Sequence, residues 1–200
     1  MDYHVIRKHI GEMMGTRGYN CMTEFKNEST STDIDTIYKH KKQSKITYVF
    51  LHDVKYRFGI KELRNYYLLV KTHYTTAKPV QLTDKISIII VVDKINSNDI
   101  TKTINNIKSS ENILIEIWNY IFFKSNITKH HLVPKHELCS KTEKQNMIDY
   151  YGPLKQFPFI KVYDPQVKYL GAKVGSLIKI YRNSDTMPGE TVITYRVVVH

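Results

Sequence analysis

The chain has 200 residues, 42% of them hydrophobic and 24% charged, and its formal net charge is +11. That balance excludes disorder by charge excess and allows one domain or two small ones, each with a core that needs no staples. The positive charge is spread over both halves and attracts polyanions, nucleic acid first among them. Cys21 and Cys139 stand far apart and make no disulfide framework, which favours a reducing compartment. The opening MDYHVIRKHI lacks the apolar region of a secretory leader. The longest apolar run, ISIIIVV, falls well short of the roughly 20 residues a membrane span needs. The expectation is a soluble intracellular protein with no membrane partner.

In chain order, Ile6, Ile10, Met13 and Met14 form the stripe of an amphipathic helix between Asp2, a fitting N-cap, and Gly18. EFKNESTSTDID, residues 24–35, reads as loop or frayed helix. YKHKKQSK, residues 38–45, is the nearest thing to a basic run and reads as a solvated loop, too short for a nucleic-acid arm. KITYVFLHD is β-branched and aromatic, as a strand buried on both faces should be. Leu63, Tyr66, Tyr67 and Val70 restore helical spacing, ISIIIVVD makes a second central strand, and Ile100, Ile104 and Ile107 mark a third helix. NILIEIWNYIFFK reads as strand. The resulting order, α, β, α, β, α, β, predicts an α/β layer with helices packed on a largely buried sheet.

After Lys124 prolines become frequent, which sets a domain boundary near Asn126: residues 1–125 form one domain and 126–200 a second, compact α+β module. Ser140 and Glu143 have the spacing of a capping box and predict a helix from Lys141 to about Tyr151, closed by Gly152 and Pro153. Asp164 followed by Pro165 starts a short helix that Gly171 closes. SLIKIYR and TVITYRVVV alternate with period two and are joined by the turn NSDTMPGE.

Several stretches carry a resemblance. NITKHHLVPKHELCSKTEKQNMIDYYG, DPQVKYLGAKVGSLIKIYRNSDT and ITYRVVV closely resemble the C-terminal domain of the fifth subunit shared by eukaryotic nuclear RNA polymerases, a subunit that has a shorter archaeal counterpart. The N-terminal half matches more loosely, through IRKHIGEMMGTRGY and FGIKELRNYY. The resemblance implies a non-catalytic polymerase subunit without cofactor. Its first domain would be a jaw beside downstream duplex DNA, with a fold related to restriction endonucleases, and its second an assembly domain docked on the largest subunit near the omega-like small subunit. On the matching positions it implies a subunit interface at His130, Leu132, Val133, Pro134 and His136, at Asp164, Pro165, Tyr169 and Gly171, and at Arg182, Ser184, Tyr195 and Arg196. The family's Thr-Pro-Ser-Ala loop on the DNA side is replaced here by INSNDITKT, which puts Asn96, Ser97, Asn98 and Lys102 at the DNA-proximal positions. The abundance of Ile, Lys, Asn and Tyr suggests a large cytoplasmic DNA virus as source, hence host cytoplasm and virion; a cellular source would mean the nucleus.

Three other readings of the residues compete. His130, His136, His131 and Cys139 have the types of a metal site, but in an extended segment the first two share one face and the last two the other, so they do not converge. Asp53-x-Lys55, with Asp33 and Asp35 upstream, has the skeleton of a Mg²⁺-dependent nuclease. A free-standing basic DNA-binding module is the remaining alternative. Arg182, Ser184, Tyr195 and Arg196 read as cross-strand and interface groups rather than a catalytic cluster. No phosphate-binding glycine loop or nucleophile elbow occurs.

Overall fold

The computed structural model describes residues 2–24, 34–77, 85–94, 98–111, 113–184 and 189–200. It divides into two compact units, Met1–Ser125 and Asn126–His200.

In the first unit α1 (Tyr3–Thr16) starts where the Asp2 carboxylate accepts from the backbone N–H groups of His4 and Val5, and it buries Ile6, Ile10, Met13 and Met14. A five-stranded sheet follows, in the order β1 (Tyr19–Glu24), β2 (Thr36–His40), β3 (Lys45–Leu51), β4 (Lys85–Val92), β5 (Leu114–Asn119). β1, β2 and β3 pair antiparallel, whereas β3, β4 and β5 pair parallel. The parallel strands are joined by α2 (Ile60–Ala77) and α3 (Asn98–Glu111). Because the three strands lie in sequence order, right-handed crossovers put both helices on one face. There Leu63, Tyr66, Val70 and Ile100 pack with Tyr48, Phe50, Ile88, Ile90, Val92 and Ile115.

The alternate residues Val49, Ile89, Val91 and Trp118 are buried too, on the opposite face, because successive side chains of a strand point to opposite sides. α1 covers that face. Arg17, just after it, bonds Glu116 of β5, and His9 Nδ1–H donates to the Phe123 carbonyl of α4 (Ile121–Lys124). Burial on both faces explains why ISIIIVV shows no alternation.

Three expectations are corrected. The α, β, α, β, α, β order omits β1 and β2, an antiparallel pair at the sheet edge. Glu24 ends β1, Asp35 bonds Val49 just before β2, and 25–33 lie outside the described residues. YKHKKQSK is not one loop: residues 38–40 end β2, 41–44 bend and Lys45 begins β3, with His40 Nδ1 accepting from the N–H groups of Lys42 and Gln43. In NILIEIWNYIFFK the strand stops at Asn119, whose side-chain oxygen accepts from Ile121 N–H and turns the chain into α4.

The second unit holds a four-stranded sheet in the order β6 (Lys135–Leu138), β8 (Leu177–Asn183), β9 (Thr191–Val199), β7 (Phe159–Lys161). α5 (Lys141–Tyr151) packs Met147 on the side of Leu177, Tyr195 and Val197. α6 (Pro165–Leu170) packs Val167 on the other, against Ile178, Ile180 and Val198. The alternation in β8 and β9 thus serves two helices, one per face. Ser140 Oγ accepts from Glu143 N–H at 3.1 Å. The Glu143 carboxylate does not reach back to complete the box; it accepts from Lys179 Nζ, also at 3.1 Å.

Candidate functional site

The segment before β6 is built by local hydrogen bonds. The Asn126 side-chain oxygen accepts from Thr128 N–H and its amide donates to the hydroxyl of buried Tyr169 on α6. A single 3₁₀ turn, Ile127–Lys129, then delivers His130 in extended conformation. His130 accepts twice, at Nδ1 from Leu132 N–H and at its carbonyl from Val133 N–H, so residues 131–133 form a turn. The alternating-face argument therefore applies only from Lys135 onward. The imidazoles of His130 and His131 stack with centroids 4.7 Å apart, and Leu132 is left 76% exposed. Pro134, which cannot donate, precedes the edge strand β6, as proline in a sheet requires. His136 donates its Nδ1–H to the Pro134 carbonyl at 2.7 Å.

Among the described residues no three His, Cys, Asp or Glu side chains come together to hold a metal. The Cys139 thiol is pushed up to about 12 by burial and then by the Glu143 carboxylate, so it stays protonated and is a poor ligand.

The other matching positions divide by task. Asp164 accepts from Gln166 N–H at 2.8 Å, Pro165 occupies the first turn of α6, and Gly171 closes it at φ +66°; these three shape the fold. Arg182 lies opposite Val192 and is exposed, while Ser184 N–H closes the β8–β9 hairpin on the Glu190 carbonyl. Tyr195 lies opposite Lys179 on the α5 side, and Arg196 opposite Ile178 on the α6 side, donating to the Phe159 carbonyl at 3.3 Å. The four do not form one cluster.

A polar network on the α5 side escapes sequence reasoning. Lys179 joins Glu143, Tyr181 donates to Glu137 at 2.7 Å, and Lys135 pairs with Glu137 at 2.6 Å. The Glu143 and Tyr181 hydrogen bonds hold the Lys179 ammonium above its ordinary value, and the Lys135 and Tyr181 hydrogen bonds hold the Glu137 carboxyl below its own. Only Lys135-x-Glu137, two apart on one strand face, is a signal the sequence carries.

In the first unit Asn96 and Ser97 lie outside the described residues, and Asn98 is the first residue of α3. Lys102 stands on that helix and not on a loop, 77% exposed and 3.7 Å from Asp99. Of the nuclease skeleton, Asp33 lies outside the described residues. Asp35 is buried against Arg7, whose Nε and Nη2 donate at 2.9 and 2.6 Å. Asp53 accepts from Lys55 N–H at 3.0 Å and so folds its own loop. The Asp35 carboxylate is thus occupied by Arg7 and the Thr36 hydroxyl, while Asp53 serves its own loop.

That loop, residues 52–59, links β3 to α2 and is pinned at two buried residues. His52 Nδ1 accepts from Tyr66 O–H at 2.9 Å, and its Nε2–H donates to the Tyr56 carbonyl at 3.2 Å. The ring meets buried Phe58 edge-on, with centroids 5.3 Å apart. Burial lowers the His52 pKa, so the imidazole is neutral. Between the pins, Val54, Lys55, Tyr56 and Arg57 face solvent.

The chain resembles known proteins over its whole length. Residues 125–198 match the family model described as RNA polymerase Rpb5, C-terminal domain. The DNA-directed RNA polymerases I, II, and III subunit rpabc1 of Dictyostelium discoideum is 30% identical over 201 residues, covering 97% of this chain and 95% of the relative. DNA-directed RNA polymerase subunit Rpo5 is 47% identical in Pyrococcus abyssi over 75 residues and in Archaeoglobus fulgidus over 77, covering 37% and 38% of this chain and 89% and 99% of those proteins. Full-length similarity to one such subunit, and closer similarity over the segment that carries the H-x-L-V-P-x-H, D-P and I-T-Y-R motifs, lead to one conclusion: this chain belongs to the family of the fifth subunit of eukaryotic-type and archaeal DNA-directed RNA polymerases, and is a non-catalytic component of such an enzyme.

Proposed function

We propose that residues 126–200 brace the largest subunit of the polymerase, beside its omega-like small subunit, and that residues 1–125 form a jaw along downstream duplex DNA. The observation that carries the first half is size: the archaeal relatives align over 75 and 77 residues, the length of the C-terminal unit, across 89% and 99% of their own chains. A polymerase subunit can consist of this unit nearly alone, so assembly falls to it. Its turn at 131–133 supports the reading, because Leu132 is a large apolar side chain held in solvent by a structured turn, the form an interface anchor takes.

For the first unit, a fold related to restriction endonucleases without their chemistry is supported by the mixed sheet between helices and by the engagement of Asp35 with Arg7 and Thr36. Asn96, Ser97, Asn98 and Lys102, which follow β4, stand on the DNA side in this reading. The Asn- and Ile-rich composition supports a large cytoplasmic DNA virus as source, with the chain in host cytoplasm and virion.

Lysine cross-linking with mass spectrometry on the assembled polymerase tests the arrangement. Lys129 and Lys135, which flank the turn, should cross-link to the largest subunit. Cross-links from both lysines to other subunits alone would refute the docking.

A further inference from the structure

We propose that Lys55, Arg57 and Lys94 form one phosphate-binding pocket at the carboxyl ends of β3 and β4, and that its ligand is the phosphodiester backbone of duplex DNA. The proposal rests on the reading of residues 1–125 as a jaw beside downstream duplex, and assigns the contact to residues other than Asn96, Ser97, Asn98 and Lys102.

The three cations come from two strand ends nearly forty positions apart and line one open cavity of about 270 Å³, together with His52, Val54, Tyr56, Phe58 and Asp93. All three are exposed, and none is paired with a carboxylate among the described residues. Asp93 is the one acidic residue of the lining, against three cations; Asp53 and Glu62 stand close enough to act on His52 but do not line the cavity. Lys102, by contrast, already has Asp99 beside it.

The loop is also preorganised. A loop that must be ordered on binding loses affinity to entropy, but this one is set in advance. Asp53 accepts from Lys55 N–H, Tyr56 N–H bonds the Asp53 carbonyl at 3.1 Å, and His52 N–H bonds the Val91 carbonyl of β4 at 2.9 Å. The neutral His52 ring has both nitrogens engaged in holding this loop, and contributes no charge to it. Buried His52 and Phe58 thus work as the two posts of a rigid arch whose exposed span is Val54-Lys55-Tyr56-Arg57. Arg57 brings a planar fork suited to two phosphate oxygens, the lysines bring point charges, and the Tyr56 hydroxyl is a neutral donor among them. Such a set grips a backbone without reading bases.

The test uses polymerase assembled with this chain, either wild type or carrying Lys55→Gln, Arg57→Gln and Lys94→Gln together. Affinity for template is measured against salt, with and without downstream duplex. On templates with duplex, the log–log slope of the triple variant should be shallower by about 0.9 for each contact removed, so about 2 to 3 in all. Without duplex the two enzymes should have equal slopes. A wild-type slope indifferent to downstream duplex overturns the jaw reading itself. A duplex-dependent slope that the triple variant leaves unchanged overturns the pocket alone, as does a loss seen equally on both templates. Should the triple variant assemble poorly, Arg57→Gln and Lys94→Gln are scored singly, each expected to lower the slope by about 0.9; no change in either has the same overturning force.

Discussion

Arg17 grips Glu116 with two parallel hydrogen bonds, Nη1 to Oε1 at 3.1 Å and Nη2 to Oε2 at 2.9 Å, and so ties the end of α1 to β5 across 99 positions of sequence. Trp118 Nε1–H donates to the same carboxylate at 3.1 Å, and the Arg17 side chain is only 8% exposed. Glu116→Ala would take two hydrogen bonds and the opposite charge away from a nearly buried guanidinium, at a cost of about 3 kcal/mol, reduced somewhat by the partial exposure of the carboxylate. Replacing both residues, Arg17→Met with Glu116→Leu, should restore most of the loss, since no unpaired charge remains. Urea unfolding of the full chain measures both; a double variant as unstable as the single one would show that the pair contributes more than charge compensation.

Acidification should weaken the first unit through His52. Its folded pKa is lowered, first by burial, against an ordinary value of about 6.5. Above that value neither state binds a proton and the full stability is present. As pH falls below it, the unfolded chain takes up a proton that the folded ring refuses, so stability declines until the lowered folded value is reached. Wild type should therefore lose stability as pH falls from 7 through and below the ordinary histidine value, and His52→Gln should show a shallower decline there. His40, also lowered by burial and by Lys45 and Lys42, would supply the remainder. Thermal unfolding across this range decides; identical pH profiles for the two proteins would rule out His52 as the source.

Gly152 ends α5 at φ +94° and ψ −172°, a region that is nearly glycine-only. A Cβ there would also meet the Gln156 side chain, which is flexible enough to move away, so the backbone sets the cost. Gly152→Ala should destabilise the C-terminal unit by about 1–3 kcal/mol. At the other end of the helix Ser140→Ala removes one cap bond and should cost about 1 kcal/mol. Paired denaturation curves would test the ordering, which would be wrong if the cap variant proved the less stable.

What the sequence revealed of the fold followed how local the determinants were. Asp2, Ser140, Asp164, Pro165 and Gly171 act within one turn of themselves, and each sits at the helix end its type predicts. β1 has no such signal: YNCMTE is a short polar edge strand with an irregular register between Cys21 and Thr23, and its partner β2 supplies the burial. The helix at Ile121 was hidden because IFFK continues the apolar texture of β5, and only the Asn119 side chain marks the change. For the candidate site the limit was distance in sequence. His130 through His136 could be singled out as a stretch, though not as a turn. The meeting of Lys94 with Lys55 and Arg57, or of Glu143 with Lys179, depends on strand order, which no local pattern specifies.

Leu132 separates folding from assembly most cleanly. Its side chain is 76% exposed and the turn that presents it is held by backbone groups and by the His130 ring, none of which needs a leucine at that position. Leu132→Asp should therefore leave the unfolding curve of the chain within about 0.5 kcal/mol of wild type. If the leucine fills an apolar socket on the largest subunit, the same change desolvates a carboxylate there and should cost at least about 2 kcal/mol of association, a loss of roughly thirtyfold or more. Asn146→Asp, on the exposed face of α5, serves as the control that adds the same negative charge outside the proposed contact. The readout is competition: tagged variant and untagged wild type are supplied together and their shares in purified polymerase compared. Equal incorporation of Leu132→Asp and wild type would remove the turn at 131–133 from the docking surface, whereas exclusion of that variant with retention of Asn146→Asp would place the anchor there.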